Sequence, residues 1–211
     1  MGFYLAKTPR IIMRTFSNYT WCFSSSKKEI YLTFDDGPTP VVTEFVLNQL
    51  NKYQAKGTFF CIGKNIENHP EIFKRIITDG HSVGNHTQNH FNGWKKSTED
   101  YLENVLKCEK IISKHSSKSS LFRPPYGKIK SNQAKKLINN SYKIIMWDVL
   151  SGDFDKSLSK EKCLQNVLKN SKNGSIIVFH DSIKASEKLY YILPKILEEF
   201  SKKGYQFKAI S

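Results

Sequence analysis

Short apolar segments of strand type alternate along most of the chain with segments of helical periodicity. β-Branched and aromatic residues predict seven strands, at 30–34, 56–62, 81–85, 121–123, 143–149, 175–180 and 205–210. Apolar residues at helical spacing predict helices at 42–53, 69–80, 97–114, 131–140, 159–169 and 186–203. Strands that alternate with helices pair in parallel, so the sequence predicts an α/β fold. Because the chain has only 211 residues, a reduced or incomplete barrel is expected.

Individual residues predict where some of the helices begin or bend. Thr39 and Pro40 are expected to start the first helix, as a cap followed by a first-turn proline. Ser97 or Thr98 is expected to cap the long helix that follows. Pro194 predicts a kink in the last helix.

Two adjacent carboxylates, Asp35 and Asp36, follow the first apolar segment and precede Gly37 and Pro38. Glycine and proline end the strand, so both carboxylates are expected at its carboxyl end. Active sites of parallel α/β folds are built at this end of the sheet. Aspartate and glycine are also common turn residues, and a simple turn is the alternative interpretation.

His86 and His90 lie four residues apart, directly after the third predicted strand. One helical turn would place both imidazoles on the same side, which is a spacing that suits a metal ion. A carboxylate from Asp35 or Asp36 would complete a set of two histidines and one carboxylate with open coordination positions. An ordinary surface or core position is the alternative for either histidine taken alone.

Three further polar residues lie at or beyond predicted strand ends. Arg123 is followed by two prolines and could pair with a carboxylate, although a surface ion pair is equally consistent with its position. His180 has an ordinary pKa that suits proton transfer near neutrality. Asp153 could orient His180, or it could be a turn residue.

Taken in order, these segments resemble the five motifs of the polysaccharide deacetylases, the NodB-homology group also called carbohydrate esterase family four. The motifs are TFDDG at 33–37, HTQNH at 86–90, RPPYG at 123–127, Trp147 with Asp153, and IVFH at 177–180. The resemblance covers about residues 30 to 210, and five motifs in order are more specific than any one of them. One departure is Phe154, at a position where the family often has tryptophan.

The resemblance implies a distorted (β/α)7 barrel of the NodB deacetylase type that binds a divalent metal ion. The ion is most commonly Zn²⁺, with Co²⁺, Ni²⁺ or Mn²⁺ as alternatives. The resemblance implies that Asp36, His86 and His90 are the metal ligands and that Asp35 is the general base. Arg123 would orient Asp35. His180 would be the general acid, supported by Asp153.

The resemblance also implies a reaction and the walls of a substrate site. The backbone N–H of Tyr126 would stabilise the oxyanion, and Tyr126, Pro125 and Trp147 would bind the substrate, with Phe122 and the region of Leu150 as further apolar walls. The implied reaction is release of acetate from N-acetylglucosamine-type residues of peptidoglycan, a chitin-like oligomer or a lipid-linked sugar. Deformylation or amide hydrolysis on a lipid-linked or small molecule is the alternative, followed by a carbohydrate-binding protein without activity.

The sequence has a net charge of +14, which could favour an anionic partner. Only four of the 33 basic residues are arginines, and the lysines are scattered. We therefore interpret most of the charge as solvated surface, and no nucleic acid is expected because no recognition motif accompanies it. The oligomeric state is left open.

Residues 1–28 form a basic, aromatic N-terminal arm that precedes the deacetylase domain at 29–211. Packing of this arm on its own domain is favoured, and peripheral contact with an anionic membrane is the alternative. The four cysteines are widely spaced and contain no metal-binding pair, so free thiols are expected. Free thiols and the lack of a recognisable signal peptide or transmembrane segment predict a cytoplasmic location. Association with the membrane surface is compatible with this location.

Overall fold

The computed structural model describes residues 5–24, 26–115 and 119–211. The helices are α1 (Arg10–Thr15), α2 (Val42–Lys52), α3 (Gly63–Asn68), α4 (Pro70–Thr78), α5 (Thr98–Ile112), α6 (Ser131–Asn139), α7 (Lys160–Asn170) and α8 (Ser186–Lys202). The strands are β1 (Glu29–Asp35), β2 (Gly57–Cys61), β3 (Ser82–Asn85), β4 (Leu121–Phe122), β5 (Lys143–Ile144), β6 (Val149–Leu150), β7 (Ile176–His180) and β8 (Gln206–Phe207).

These strands form one parallel sheet in the order β5-β4-β3-β2-β1-β7-β6, and β8 pairs with the beginning of β1. Strands β5 and β6 lie at the two edges, and no ladder joins them within the described residues. The result is a curled sheet of an incomplete barrel, as the sequence predicted. Strand β1 is central and nearly all of its side chains are buried, which places its carboxyl end in the middle of the sheet.

Apolar faces of the helices cover the sheet. The largest core cluster includes Leu32 and Phe34 of β1, Phe59 of β2 and Phe179 of β7, with Leu193 of α8 packed against them. Burial on both faces explains why the β7 sequence is almost wholly apolar. Helix α8 continues through Pro194. Ser97 caps α5 by accepting from the Asp100 N–H, as expected.

Two predicted elements differ from the structure, and two observed helices were not predicted. The first helix begins at Val42 after a turn, and the Glu44 carboxylate accepts from the Val41 N–H, so Thr39 and Pro40 do not start it. The predicted strand at 143–149 is two strands, β5 and β6, because residues between them leave the ladder. Helices α1 and α3 were not predicted, since each is only six residues long and too short for a clear apolar period.

The described part of the N-terminal arm packs on the domain along the two edges of the sheet. Lys7 forms an ion pair of 2.6 Å with the buried Asp148, and its backbone forms an isolated antiparallel β-bridge with Val149 of β6. Thr20 forms an isolated parallel β-bridge with Ile145, which directly follows β5. These contacts account for the interruption of the predicted strand at 143–149, because the arm takes up backbone groups of that segment. In the part of the chain described, no helix has the length and apolar character needed to span a bilayer.

Candidate active site

Asp35 and His180 are the last residues of β1 and β7, and they lie opposite each other in the parallel ladder between these strands. Residues paired in this way place their side chains on the same face of the sheet. Both side chains line one cavity at the carboxyl ends of the strands. The sheet register therefore brings together two residues that are far apart in the sequence.

Asp36 follows β1 with a φ of 85°, directly before the cis peptide bond between Gly37 and Pro38. Non-glycine residues rarely adopt this left-handed backbone conformation. Two hydrogen bonds stabilise it: the Asp36 N–H donates to the Phe60 carbonyl (3.2 Å), and its own carbonyl accepts from Asn65 Nδ2 (2.7 Å). The change of backbone conformation after Asp35 separates the directions of two adjacent carboxylates.

His86 and His90 lie in a loop after β3, and not on the helical turn that their spacing predicted. Thr87 and His90 have φ values of 65° and 54°, which are incompatible with a right-handed helix. Asn85 stabilises the loop, because its Oδ1 accepts from the Thr87 N–H (2.8 Å) and its Nδ2 donates to the Val105 carbonyl (2.9 Å). The two imidazoles still converge, with ring centroids 5.1 Å apart.

Asp36, His86 and His90 bring one ligand atom each into a group whose members all lie within 4.8 Å of one another. Asp36 Oδ1 lies 3.2 Å from Nε2 of His90 and 3.7 Å from Nε2 of His86. This carboxylate oxygen is buried and has no hydrogen-bond partner among the described residues. Buried polar atoms are nearly always paired, so an unpartnered carboxylate oxygen between two imidazoles fits a bound cation.

The tautomer of His86 supports the same assignment. Its Nδ1 lies 2.8 Å from the Arg123 carbonyl, which can only accept, so Nδ1 bears the proton and Nε2 presents a lone pair. Burial lowers the pKa of His86 to about 4, so the imidazole is neutral near pH 7. Nδ1 of His90 lies 3.0 Å from the Tyr126 hydroxyl. The three residues thus fit a divalent metal ion in donor type and position.

Arg123 is fully buried beside Asp35. It therefore does not form the surface ion pair that was the alternative interpretation of its position. Its Nη1 donates to Asp35 Oδ1 (2.7 Å) and to Thr33 Oγ1 (2.6 Å). Its Nε and Nη2 donate to the carbonyls of Ile145 (3.1 Å) and Met146 (3.0 Å). A guanidinium with all these partners fixes the orientation of the Asp35 carboxylate.

His180 and Asp153 form a second ion pair, in which Asp153 is buried and His180 is partly buried. His180 Nδ1 lies 2.8 Å from Asp153 Oδ1, and the His180 backbone N–H donates to Asp153 Oδ2, also at 2.8 Å. Burial disfavours the imidazolium, but the Asp153 carboxylate outweighs burial and raises the pKa of His180 to about 9. His180 is therefore arranged to be protonated near neutrality, with Nε2 as the remaining ring nitrogen.

The cavity above these residues has a volume of about 700 Å³. Tyr126, Trp147, Leu150 and Phe154 provide apolar or aromatic parts of its lining. Two residues predicted from the sequence to form walls lie elsewhere. Pro124 lines the cavity while Pro125 is buried in the turn, and Phe122 is buried in a core cluster between Tyr101 and Tyr142.

Asp181 is a residue of the site to which sequence reasoning assigned no role. It is fully buried; its Oδ1 accepts from the Gly37 N–H (3.0 Å), and its Oδ2 accepts from Thr43 Oγ1 (2.6 Å). Burial raises the pKa of this carboxyl to about 8. A methyl group on Gly37 would lie only 2.0 Å from Asp181 Oδ2, which explains the glycine. Asp181 thereby fixes the turn that follows Asp36, and its position next to His180 was the one available signal.

Comparison with known proteins identifies the family. Residues 24–145 match the family described as polysaccharide deacetylase. A peptidoglycan-N-acetylglucosamine deacetylase of Bacillus cereus is 35% identical over 193 residues, which cover 91% of this chain and 91% of that protein. The chain therefore belongs to the polysaccharide deacetylase family, and it is a hydrolase.

Solved structures agree with this assignment. A crystal structure of a peptidoglycan N-acetylglucosamine deacetylase superposes with a TM-score of 0.88 at 34% identity, covering 96% of this chain and 95% of that one. A peptidoglycan deacetylase from Bacillus subtilis superposes with a TM-score of 0.79 at 30% identity, covering 89% and 90% of the two chains. The NodB deacetylase fold predicted from the sequence is confirmed.

Proposed function

We propose that this protein is a metal-dependent deacetylase that releases acetate from N-acetylglucosamine-type residues of a glycan, with Asp36, His86 and His90 as the metal ligands. Glycan deacetylation follows from the family and from the relatives described above. The observation that most supports the proposed metal site is the buried Asp36 Oδ1 between two imidazole nitrogens and without a hydrogen-bond partner.

The metal ion and the protein have separate tasks in this proposal. A divalent ion at the site, most commonly Zn²⁺ in this family, with Co²⁺, Ni²⁺ or Mn²⁺ as alternatives, would polarise the acetamide carbonyl and lower the pKa of a water molecule. Asp35 accepts the proton of the attacking water, and Arg123 orients its carboxylate for this role. Arg123 itself does not touch the substrate, so it is a positioning residue.

His180 supplies the proton that the departing amine needs. Its Nδ1 proton is directed to Asp153 (2.8 Å), which leaves Nε2 as the nitrogen that transfers a proton in the cavity. The Tyr126 backbone N–H, in the turn at the edge of the cavity, is the proposed donor to the oxyanion. The side chains of Tyr126 and Trp147 would contact the sugar ring and the acetyl methyl group.

For the substrate, the relatives favour peptidoglycan over the chitin-like oligomers and lipid-linked sugars that the sequence also allowed. Both the Bacillus cereus relative and the solved structure described above are named as peptidoglycan N-acetylglucosamine deacetylases. Peptidoglycan is therefore the proposed substrate, and acetyl is the proposed leaving acyl group. A deformylase acting on a lipid-linked amide is the alternative that a direct assay separates.

A substrate panel tests this function. Purified protein reconstituted with Zn²⁺ or Co²⁺ is incubated with peptidoglycan, N-acetylglucosamine oligomers and lipid-linked amino sugars, and both acetate and formate are quantified. We expect acetate from peptidoglycan and from the oligomers. Formate as the main product, or no acid from any of these substrates by correctly folded metal-loaded protein, would refute the proposal.

The membrane contact and the cytoplasmic location predicted from the sequence stay predictions. On the arm, Ile11 is 73% exposed next to Arg10, a combination that could contact an anionic bilayer. Fractionation of full-length protein against an Ile11→Ser variant tests the contact. Equal sedimentation of both proteins with membranes would argue against a role of this side chain.

A further inference from the structure

Three lysines line the cavity around the catalytic groups. They are Lys128, after β4, Lys156, in the loop between β6 and α7, and Lys184, in the loop between β7 and α8. In the sheet, β4 lies on one side of β1, whereas β6 and β7 lie on the other side. The lysines therefore flank the carboxyl end of β1 from both directions.

Contacts with aromatic rings show where these lysines lie relative to the site. Lys128 Nζ lies 5.2 Å from the centroid of the exposed Trp94 ring, and Lys128 is two residues from Tyr126. The hydroxyl of Tyr126 lies 3.0 Å from Nδ1 of His90. Lys128 thus lines the cavity on the side of Tyr126 and His90.

On the opposite side, Lys184 Nζ lies 5.7 Å from the centroid of the Phe154 ring. Phe154 in turn packs edge-on against the His180 imidazole, with 5.0 Å between ring centroids. The side chain of Lys156 is exposed at the same end of the cavity. Two ammonium groups thus lie on the side of the proposed general acid.

The carboxylates that line the cavity have other partners. Asp35 pairs with Arg123 (2.7 Å), and Asp36 belongs to the proposed metal site. Asp155 Oδ1 accepts from the N–H and the hydroxyl of Ser157 at 2.9 and 2.7 Å. These hydrogen bonds come from a neutral serine and leave the negative charge of Asp155 in place, but the three lysines outnumber it, so the outer cavity has an excess of positive charge.

We propose that these lysines select an anionic glycan, in which the sugars on either side of the target N-acetylglucosamine bear carboxylates. This inference rests on the proposed function and narrows its substrate. A peptide-free strand in which N-acetylglucosamine alternates with a carboxylate-bearing sugar, such as N-acetylmuramic acid with a free lactyl group, presents one negative charge on each side of every target residue. A neutral N-acetylglucosamine oligomer presents none, so it would gain nothing from the lysines.

The test compares two substrates that differ only in charge. Peptide-free glycan strands with free lactyl carboxylates are prepared, and half of the material is converted to neutral methylamides with methylamine and a carbodiimide. The kcat/KM for acetate release by the Zn²⁺-loaded protein is measured on both. We expect a preference of about tenfold for the anionic strands, which decreases when the salt concentration rises.

Variants connect the preference to the lysines. In the triple variant Lys128→Gln, Lys156→Gln, Lys184→Gln, the ratio of the two kcat/KM values should fall to about one. The matched control is Lys52→Gln, Lys74→Gln, Lys110→Gln, which makes the same change in net charge at exposed positions outside the cavity lining. The control should keep the preference of the unaltered protein, and metal content verifies that both variants are folded.

The outcomes separate this inference from the proposed function. Acetate release at equal rates from both substrates, or a preference that survives in the cavity variant, overturns the selection by lysines and leaves deacetylation intact. Loss of the preference in both triple variants assigns the effect to net charge and also overturns the inference. Acetate from neither substrate overturns the proposed function and the inference that rests on it.

Discussion

Asp35 and His180 occupy paired positions at the ends of adjacent parallel strands, and each has a buried ionic partner of its own, Arg123 at 2.7 Å and Asp153 at 2.8 Å. The pairing sets a proposed base and a proposed acid on the same face of the sheet. The partners differ in sign: a guanidinium contacts the proposed base, and a carboxylate contacts the proposed acid and raises its pKa. Base and acid catalysis at one pH require two groups in environments as different as these.

Substitution of Asp153 should change the pH dependence of the reaction. His180 acts as an acid only while it is protonated, and the carboxylate of Asp153 contributes most, ahead of Asp36 and Asp35, to raising its pKa to about 9 against the effect of burial. In Asp153→Asn the pKa of His180 falls, so the alkaline limb of the kcat/KM profile should move to lower pH by about one unit or more. A profile of acetate release against pH measures the shift. An alkaline limb that stays in place would remove Asp153 and His180 from this role.

Replacement of Arg123 should cost both stability and activity. In Arg123→Lys a single ammonium cannot reach Asp35 and the carbonyls of Ile145 and Met146 together. We expect a loss of about 3 kcal/mol in the free energy of unfolding in urea, because a buried carboxylate loses its paired geometry. The matched control is Arg75→Lys, at a partly exposed ion pair of 3.3 Å with Asp79, where less than about 1 kcal/mol is expected. Equal losses in the two variants would contradict this account of Arg123.

Removal of the Asp181 carboxylate should weaken the metal site from outside its ligands. Asp181→Ala leaves the Gly37 N–H and the Thr43 hydroxyl without their acceptor, so the turn after Asp36 loses its support. We expect Zn²⁺ affinity, measured by competition with a chelator, to fall by about 10- to 100-fold. Thr43→Val removes one of the two hydrogen bonds to Asp181, along with the one that Thr43 Oγ1 accepts from the Thr39 N–H (2.7 Å), but it keeps the contact of Asp181 with Gly37 and should have a smaller effect. Unchanged affinity in folded Asp181→Ala protein would show that the turn does not depend on this carboxyl.

The strand ends could be predicted from the sequence because each motif follows an apolar segment that the sheet buries. Asp35, Arg123 and His180 occupy the strand-end positions expected for them. The backbone of residues 86–90 could not be predicted, since a spacing of four residues suits both a helical turn and the observed loop with positive φ at Thr87. Local sequence does not distinguish these conformations when tertiary contacts, here those of Asn85, decide between them.

Long-range contacts account for the other differences. The contact of Asp181 with Gly37 joins residues that are 144 positions apart, and only the β1–β7 register brings them together. The interruption at 143–149 depends on the N-terminal arm, whose Thr20 and Lys7 pair with residues of that segment. The two lysines Lys128 and Lys184 are likewise unremarkable in a chain with 33 basic residues until strand order sets them on opposite sides of one cavity.

The division of roles between Asp35 and Asp36 is the central claim, and the rate of acetate release by Zn²⁺-loaded Asp35→Asn protein tests it most directly. Asparagine still accepts a hydrogen bond from Arg123 but cannot take a proton from water, while Asp36, His86 and His90 are unchanged. The account predicts Zn²⁺ content equal to that of the unaltered protein and acetate release at least about 100-fold slower. Release within about twofold of the unaltered rate, at equal Zn²⁺ content, would contradict it.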